Sequence, residues 1–208
     1  MDTSQLKKFT SEFLDIEPIL KKKKKHLQDA RQLRRKLKTK LNDYDFLQKL
    51  VGVNVKDDEL DLAIKNCFDS FGFDKTECIG KIFGEEDIRL WFGDTLIIFE
   101  ATGSEKEFCK QPKMFQIQKH IPIKKEQFCN FKVYGGFIVN HDNTKPFNKR
   151  ILSPFNQDAD KYAKGLNIVL LTTIDLLNSF VNFKKGKLNL ADFANQLCTP
   201  GVFKILET

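Results

Sequence analysis

The chain is poor in the features that build disulfide-rich, zinc-stabilised or membrane-embedded proteins. Its five cysteines are an odd number at wide spacings and include no Cys-X-X-Cys pair, so the sequence predicts reduced thiols rather than a disulfide framework or a structural zinc site. No apolar run approaches the roughly 18 to 20 residues that cross a bilayer. Residues 1–13 lack the apolar core of a signal peptide, and we therefore expect a cytoplasmic protein.

Histidine is scarce as well, and this disfavours a cysteine protease-like site. The three histidines are His26, His120 and His141, and none forms a recognisable nucleophile and base arrangement with a cysteine. What the chain does have is 208 residues, of which 41% are hydrophobic and 30% are charged. This balance is typical of a folded domain with a sizeable core.

The positive charge is concentrated at one end of the chain. The formal net charge is +7, and residues 1–55 hold 14 Lys and Arg against 7 Asp and Glu, whereas residues 56–208 hold 21 of each. A solvated helix face explains such a segment. A surface that contacts a phosphate backbone explains it equally well, because clustered basic side chains release counterions when they bind a polyanion.

The same basic segment has the apolar spacing of a helix. Over residues 4–50 two heptad positions are apolar, and they are occupied by Leu20, Leu27 and Leu41 and by Ala30, Leu37 and Tyr44. Lys23 and Arg34 interrupt this seam, so a long regular coiled coil is not required. We predict a basic helical extension over residues 1–52, with a coiled coil as one alternative, which packs on the main domain or on a second copy in a homodimer.

The rest of the chain, residues 53–208, has the pattern of an α/β domain. A helix over 57–71 with a stop at Gly72 is followed by strands at 73–80, 87–92 and 95–101. A helix after Pro112, a strand over 132–140, an apolar strand-then-helix segment with a break near 165–167 and a short helix after Asn189 complete the order. We predict a mixed central sheet flanked by helices.

Two carboxylates stand at opposite ends of a predicted hairpin in the segment EDIRLWFGDTLIIFEATG, residues 86–103. Asp87 opens the first strand, Glu100 closes the second, and the turn is Gly93-Asp94. A tight turn brings the outer ends of two strands side by side. Two converging carboxylates are suited to Mg²⁺ or Mn²⁺, which prefer oxygen ligands and retain open positions for water and phosphate.

These landmarks resemble the PD-(D/E)XK, or restriction-endonuclease-like, nuclease superfamily over residues 46–182. EDI at 86–88 resembles the first metal-binding motif, with Asp87 as the ligand. IIFEATG at 97–103 resembles the second motif, with Glu100 as the ligand. The resemblance implies a metal-dependent nuclease domain.

Other landmarks follow in the order that the resemblance requires. An acid-bearing helix with Glu59 precedes the sheet, and Glu59 either supports the metal or only begins its helix. GGFIVNH at 135–141, KPFNKR at 145–150 and LLTTIDLLNSF at 170–180 resemble the later strand, loop and helix of some bacterial members. In that loop the basic side chains are candidate DNA phosphate contacts, namely Lys145, Lys149 and Arg150.

One position departs from the family pattern. The family has a lysine two residues after the second acid, and this chain has Thr102 there. A threonine hydroxyl can orient water but carries no positive charge to offset charge that develops in the transition state. Either the lysine has migrated to another element, with Lys119 as the better candidate and Lys106 as the poorer, or the site is degenerate.

Three functions remain open on the sequence. The first is a metal-dependent nuclease that hydrolyses phosphodiester bonds in DNA, with Asp87, Glu100, Thr102 and Lys119 at the site. The second is a catalytically degenerate nuclease-like domain that binds nucleic acid or assembles with proteins, as Thr102 suggests. The third is a protein-interaction module whose partner surface is the N-terminal helical seam.

Overall fold

The computed structural model describes residues 44–80, 82, 84–107, 114–151 and 153–204. The predicted coiled-coil seam, apart from Tyr44, falls in residues 1–43, outside the described residues, and its homodimer contact stays a prediction. The last part of the predicted extension is described, and there Phe46, Leu47 and Leu50 are buried in the main core. Residues 46–51 are therefore packed as part of the α/β domain.

The described elements follow the order that the sequence predicts, with two additions that it did not predict, a helix at Gln157–Leu166 and a strand at Gly201–Val202. The helices are α1 (Phe46–Leu50), α2 (Asp57–Phe71), α3 (Met114–Gln127), α4 (Gln157–Leu166), α5 (Thr173–Lys184) and α6 (Leu190–Leu197), with a 3-10 turn at Phe147–Lys149. The strands are β1 (Lys75–Cys78), β2 (Ile88–Phe92), β3 (Thr95–Gly103), β4 (Lys132–Asn140), β5 (Ile168–Thr172) and β6 (Gly201–Val202). No described helix is both long and apolar enough to cross a membrane.

All six strands join one mixed sheet in the order β1-β2-β3-β4-β5-β6. Strands β1, β2 and β3 are antiparallel neighbours, and β3, β4, β5 and β6 are parallel neighbours. Parallel neighbours need a crossover, and α3 joins β3 to β4 as such a connection. This confirms the predicted mixed sheet with flanking helices.

Local signals fix where the helices begin and end. Gly72 closes α2 with φ 88°, and Asn167 closes α4 with φ 57°, both in the left-handed region that ends helices. Thr172 and Asp175 form a capping box at the start of α5, in which the Asp175 amide donates to Thr172 Oγ1 at 3.0 Å. The predicted change from strand to helix in the apolar segment is therefore confirmed.

Two apolar layers cover the two faces of the sheet. The larger layer holds α1, α2, α5 and α6 against side chains such as Ile97 and Phe99, and the smaller layer holds α3 and α4 against Ile98 and Leu170. Alternate residues of β3 therefore point to opposite layers. Glu100 and Thr102 share the parity of Ile98, so they lie on the face that α3 covers.

Close approach across the sheet depends on glycine in β4. A Cβ on Gly136 would lie 2.3 Å from the Phe99 ring, and one on Gly135 would lie 2.5 Å from Ile121 of α3. Both distances are shorter than any ordinary contact, so larger residues would push apart the sheet and the layers on its two faces. Gly135 therefore keeps α3 close to β3 and β4, where the acidic residues are, whereas Gly136 makes room for Phe99 in the opposite layer.

Candidate metal and phosphodiester site

The predicted hairpin brings Asp87 and Glu100 to the same place. In the β2–β3 register Ile88 lies opposite Phe99, and continuing it by one residue sets Asp87 opposite Glu100. The Asp87 amide donates to the Phe99 carbonyl at 3.0 Å. The Ala101 amide donates to Asp87 Oδ2 at 2.8 Å. The backbone of β3 thus fixes both the position and the orientation of the Asp87 carboxylate.

Glu100 is buried among other acids. Its side chain is 8% exposed, and the pKa of its carboxyl is raised to about 8, first by burial and then by the charge of Asp87, with which it also shares a side-chain hydrogen bond. Glu86 and Asp61 raise this pKa further. Two carboxyl groups in such contact share one proton at neutral pH, because both cannot be ionised without a cation.

Asp61 of α2 is an acid that the sequence interpretation missed. It is 5% exposed, and its charge acts on Glu100 and also on Cys78 of β1, whose pKa is raised by burial and then by Asp61. The charge of Asp87 also raises the pKa of the Cys78 thiol. The raised pKa values of two separate groups, Glu100 and Cys78, therefore indicate that Asp61 lies near the acid pair. In the sequence, the flanking Leu60 and Leu62 hid the importance of Asp61. An acid on the buried face of a helix is nevertheless a signal of a functional site.

Helix α3 covers the acid pair with His120. The His120 Nε2 lies 3.1 Å from Glu100 Oε1, and the imidazole is only 13% exposed. Lysine 119, the predicted site residue, is on the same helix but its side chain is exposed to solvent. The catalytic role of Lys119 stays a prediction, and the side chain that α3 directs to Glu100 is that of the next residue.

One helical turn beyond His120, a buried cation is fully paired. Lys124 is 1% exposed and contacts Glu85, and its Nζ lies 3.3 Å from Glu86 Oε2. Arg89 binds the same two acids, with Nη2 at 2.6 Å from Glu85 Oε2 and Nε on Glu86. We call these four residues the paired network. Its cations lower the pKa of Glu85, first through the hydrogen bond from Lys124.

Thr102 occupies the position of the family lysine and is 4% exposed. Its Oγ1 donates to the Gly103 carbonyl at 3.2 Å. Residues two apart on a strand share a face, so the hydroxyl lies on the same side of the sheet as Glu100. The position therefore offers a small polar group beside the acids and no charge.

Glu59 is placed in the first turn of α2, where it forms an ion pair with Lys49 at 2.6 Å and keeps 41% of its side chain exposed. Its pKa is lowered, first by the hydrogen bond from Lys49. Glu59 is absent from the charges that act on Glu100, whereas Asp61 is among them. The role of Glu59 as a metal ligand stays a prediction.

The three candidate DNA contacts are in two different environments. Lys145 and Lys149 are exposed, and Lys145 Nζ binds Asp142 at 2.8 Å. Arg150 is 7% exposed, and its guanidinium donates to the Lys145 carbonyl at 2.8 Å and to the Gly52 carbonyl at 3.0 Å. Burial lowers its pKa to about 10. Arg150 therefore ties the loop to the chain before α2, and only the two lysines face solvent.

The acids fit the donor preference of a hard divalent cation only in part. Asp87 and Glu100 supply two carboxylates whose mutual repulsion a cation would relieve. In the described part of the chain, no three or more His, Cys, Asp or Glu side chains are arranged to hold a metal ion as they stand. A divalent cation here would draw its remaining ligands from water and phosphate, as Mg²⁺ usually does.

Comparison with solved structures identifies the fold. The chain is similar to the structure of the restriction endonuclease FokI, with a TM-score of 0.56 and 12% identity over 76% of this chain. It is similar to the structure of FokI bound to DNA, with a TM-score of 0.54 and 12% identity over 78% of this chain. Each match spans only 30% of the FokI chain. The fold is restriction-endonuclease-like, which confirms the motif-based prediction.

Sequence comparison adds nothing to this likeness. No protein-family model matches the chain, and no curated protein matches it. The similarity is thus a similarity of fold, and a fold alone does not fix an activity.

Proposed function

We propose that this protein is a metal-dependent nuclease that hydrolyses phosphodiester bonds in DNA. The observation that carries the proposal is the acid pair, in which the half-buried Asp87 lies against the buried Glu100, and burial followed by the charge of Asp87 raises the pKa of Glu100 to about 8. Like charges are costly to bury without compensation, and strongly perturbed carboxyls concentrate at functional sites. A divalent cation compensates them, and the restriction-endonuclease-like fold supports the same assignment.

In this proposal Asp87 and Glu100 hold Mg²⁺ or Mn²⁺. The ion supplies an activated water and neutralises charge on the scissile phosphate. The backbone of β3 keeps Asp87 oriented through the amide of Ala101. The carboxyl of Glu100 gives up the shared proton when the ion enters, and Asp61 adds negative charge beside the pair. The hydroxyl of Thr102 is available to orient water on the same face.

DNA is the proposed polymer for two reasons. The similar fold of FokI has been solved bound to DNA, and the basic excess of this chain lies in residues 1–55. Lys145 and Lys149 are exposed cations in the described domain, and they are proposed as further phosphate contacts. Such contacts position a nucleic acid but do not read its sequence.

The test is cleavage of supercoiled, linear and single-stranded DNA in Mg²⁺, Mn²⁺ and EDTA. We expect cutting that requires the metal and that falls by at least about 100-fold in Glu100→Ala, because a missing ligand removes transition-state stabilisation. The matched control is Glu126→Gln, which changes an exposed acid of α3. Equal cutting by wild type and Glu100→Ala would contradict the assignment.

A second candidate is a nuclease-like domain that binds nucleic acid without cutting it. The observation that favours it is Thr102, which puts no charge where the resembled family has a lysine. DNA binding that is unchanged in EDTA and in Glu100→Ala, with no cleavage in either metal, would select this candidate over the first.

A further inference from the structure

His120 makes a single directed contact from α3 to the acid pair. The face of α3 toward the sheet carries Ile117 at 0% and Lys124 at 1% exposure, whereas Phe115 and Ile123 on the other face are 42% and 55% exposed. His120 lies on the buried face, with Nε2 at 3.1 Å from Glu100 Oε1. The imidazole therefore reaches Glu100 from the helix layer, not from the sheet that carries both acids.

The second ring nitrogen of His120 contributes no other bond. Nδ1 is buried and has no hydrogen-bond partner in the described part of the chain. Buried histidines that serve only the packing are usually bonded at both nitrogens, because an unsatisfied polar atom costs free energy. In His120 the Nδ1 atom carries that cost, and the one polar contact of the ring is the contact of Nε2 with Glu100.

The effect of His120 on the ionised carboxylate of Glu100 is opposite in sign to the effect of the other neighbours. Asp87, Glu86 and Asp61 are acids that disfavour the ionised carboxylate. An imidazole with its proton on Nε2 donates to Oε1 and favours a fixed, ionised carboxylate. Hydrogen-bond partners that orient a metal-binding side chain in this way are worth about 10- to 100-fold in metal affinity or activity.

We propose that His120 is a positioning residue that holds the Glu100 carboxylate, through an Nε2–H···Oε1 hydrogen bond, in the orientation that binds the divalent ion. This inference rests on the proposed function. It assigns to α3 a part in the site that neither metal-binding motif contains. His120 itself touches neither substrate nor ion in this assignment, and it acts only through Glu100.

Two amide substitutions separate positioning from packing. In His120→Gln the amide nitrogen can occupy the place of Nε2, whereas in His120→Asn it reaches only the place of Nδ1. Both variants carry the same chemical group, so they differ in reach alone. The control is Gln118→Ala, which changes an exposed residue two positions earlier on α3.

The first measurement is Mn²⁺ affinity, followed through the spectroscopic signal of free Mn²⁺, for the full chain and each variant at a temperature where all are folded. We expect His120→Asn to bind Mn²⁺ about 10- to 100-fold more weakly than wild type. His120→Gln should stay within about threefold of wild type, as should Gln118→Ala. Equal affinity of the Asn variant and wild type would overturn the role of His120.

The second measurement is kcat and KM for DNA cleavage with saturating Mn²⁺. Positioning through Glu100 lowers kcat in His120→Asn and leaves KM for DNA unchanged, since no DNA contact is lost. A loss in KM alone would overturn the proposal. Glu100→Gln separates a failure of the proposed function from a failure of the role of His120. If wild type binds Mn²⁺ no better than Glu100→Gln, both the proposed function and the positioning role are wrong. If wild type binds Mn²⁺ better than Glu100→Gln but the His120 variants bind it as wild type does, only the positioning role is wrong.

Discussion

Two groups of acids lie beneath α3, one contacted by Lys124 and the other by His120 one helical turn earlier, and they differ in their partners. In the paired network, Glu85 and the fully buried Glu86 are matched by Arg89 and Lys124. At the candidate site, neighbouring acids raise the pKa of the buried Glu100, and His120 contacts its carboxyl. Burying a charge is costly, and Arg89 and Lys124 offset that cost in the first group.

The difference between the paired network and the candidate site indicates which acids are structural. A matched cluster needs no ligand, and its cations lower the pKa of Glu85. At the candidate site, burial and then the neighbouring acids raise the pKa of Glu100 to about 8, and this is where we propose that an external cation binds. The contrast also explains why Lys124, although buried on the same helix face as His120, is not a simple replacement for the lysine of the resembled family: its ammonium group already contacts Glu85, Glu86 and Gln127.

The largest expected effect comes from removing a cation from the paired network. Lys124→Met should lower the free energy of unfolding by up to about 3 to 5 kcal/mol, because it removes one of the two cations that bind Glu86, which is fully buried, and leaves only Arg89 to offset that charge. Urea denaturation at pH 7 measures the change. Adding Glu85→Gln and Glu86→Gln to Lys124→Met should recover part of the loss, and no recovery would mean that Lys124 acts through packing alone.

A smaller effect of opposite sign is expected at the candidate site. Glu100 has a pKa of about 8 in the folded protein against an ordinary value of 4.5, so the folded state binds this proton more tightly and stability falls as pH rises from about 4.5 to 8. Glu100→Gln removes this cost. It should raise the free energy of unfolding at pH 9 by on the order of 1 to 3 kcal/mol and leave it unchanged at pH 4.

The control for that measurement is Glu126→Gln, whose effect should be small at both pH values, since Glu126 is exposed. A Glu100→Gln variant that is less stable than wild type at pH 9 would show that the carboxylate is compensated in the metal-free protein, which would remove the contrast between the two clusters.

Metal binding should follow the same proton. Because the ion displaces the proton shared by Asp87 and Glu100, Mn²⁺ affinity should rise by about tenfold per pH unit below pH 8 and level off above it. Calorimetry in buffers of different ionisation enthalpy counts the released proton. An affinity that is flat between pH 6 and 8 would contradict the shared-proton arrangement.

The smallest effect is expected at Glu59, and it separates the two acids of α2. Glu59 is exposed and paired with Lys49, so Glu59→Gln should leave Mn²⁺ affinity unchanged. Asp61 is buried beside the pair, and Asp61→Asn should reduce that affinity. The opposite result would restore Glu59 as the acid of the helix that supports the metal.

The sequence predicted much of the fold because its signals are local. Gly72, the Gly93-Asp94 turn and the polar start of α5 set element boundaries through short-range backbone geometry. The hairpin then follows, and with it the meeting of Asp87 and Glu100, because strand register is fixed by the turn and by the alternation of buried residues. No long-range information was needed for that meeting.

The remaining features needed the tertiary structure. Which of Glu59 and Asp61 faces the site depends on how α2 docks on the sheet, and which residue of α3 reaches Glu100 depends on how closely α3 approaches β3 and β4 over Gly135. The burial of Arg150 under backbone carbonyls depends on a contact with residues about 100 positions away. Composition and spacing carry no record of these distances.

By itself, the sequence determined the α/β order, the hairpin and the pair of acids, since each depends on residues close together in the chain. Only the tertiary structure decided that the Glu100 carboxyl is buried near other acids, that His120 contacts it and that Lys124 is already paired. The reason is electrostatic: the cost of a buried charge depends on every group within a few ångströms, and those groups come from α2, β2, β3 and α3 together.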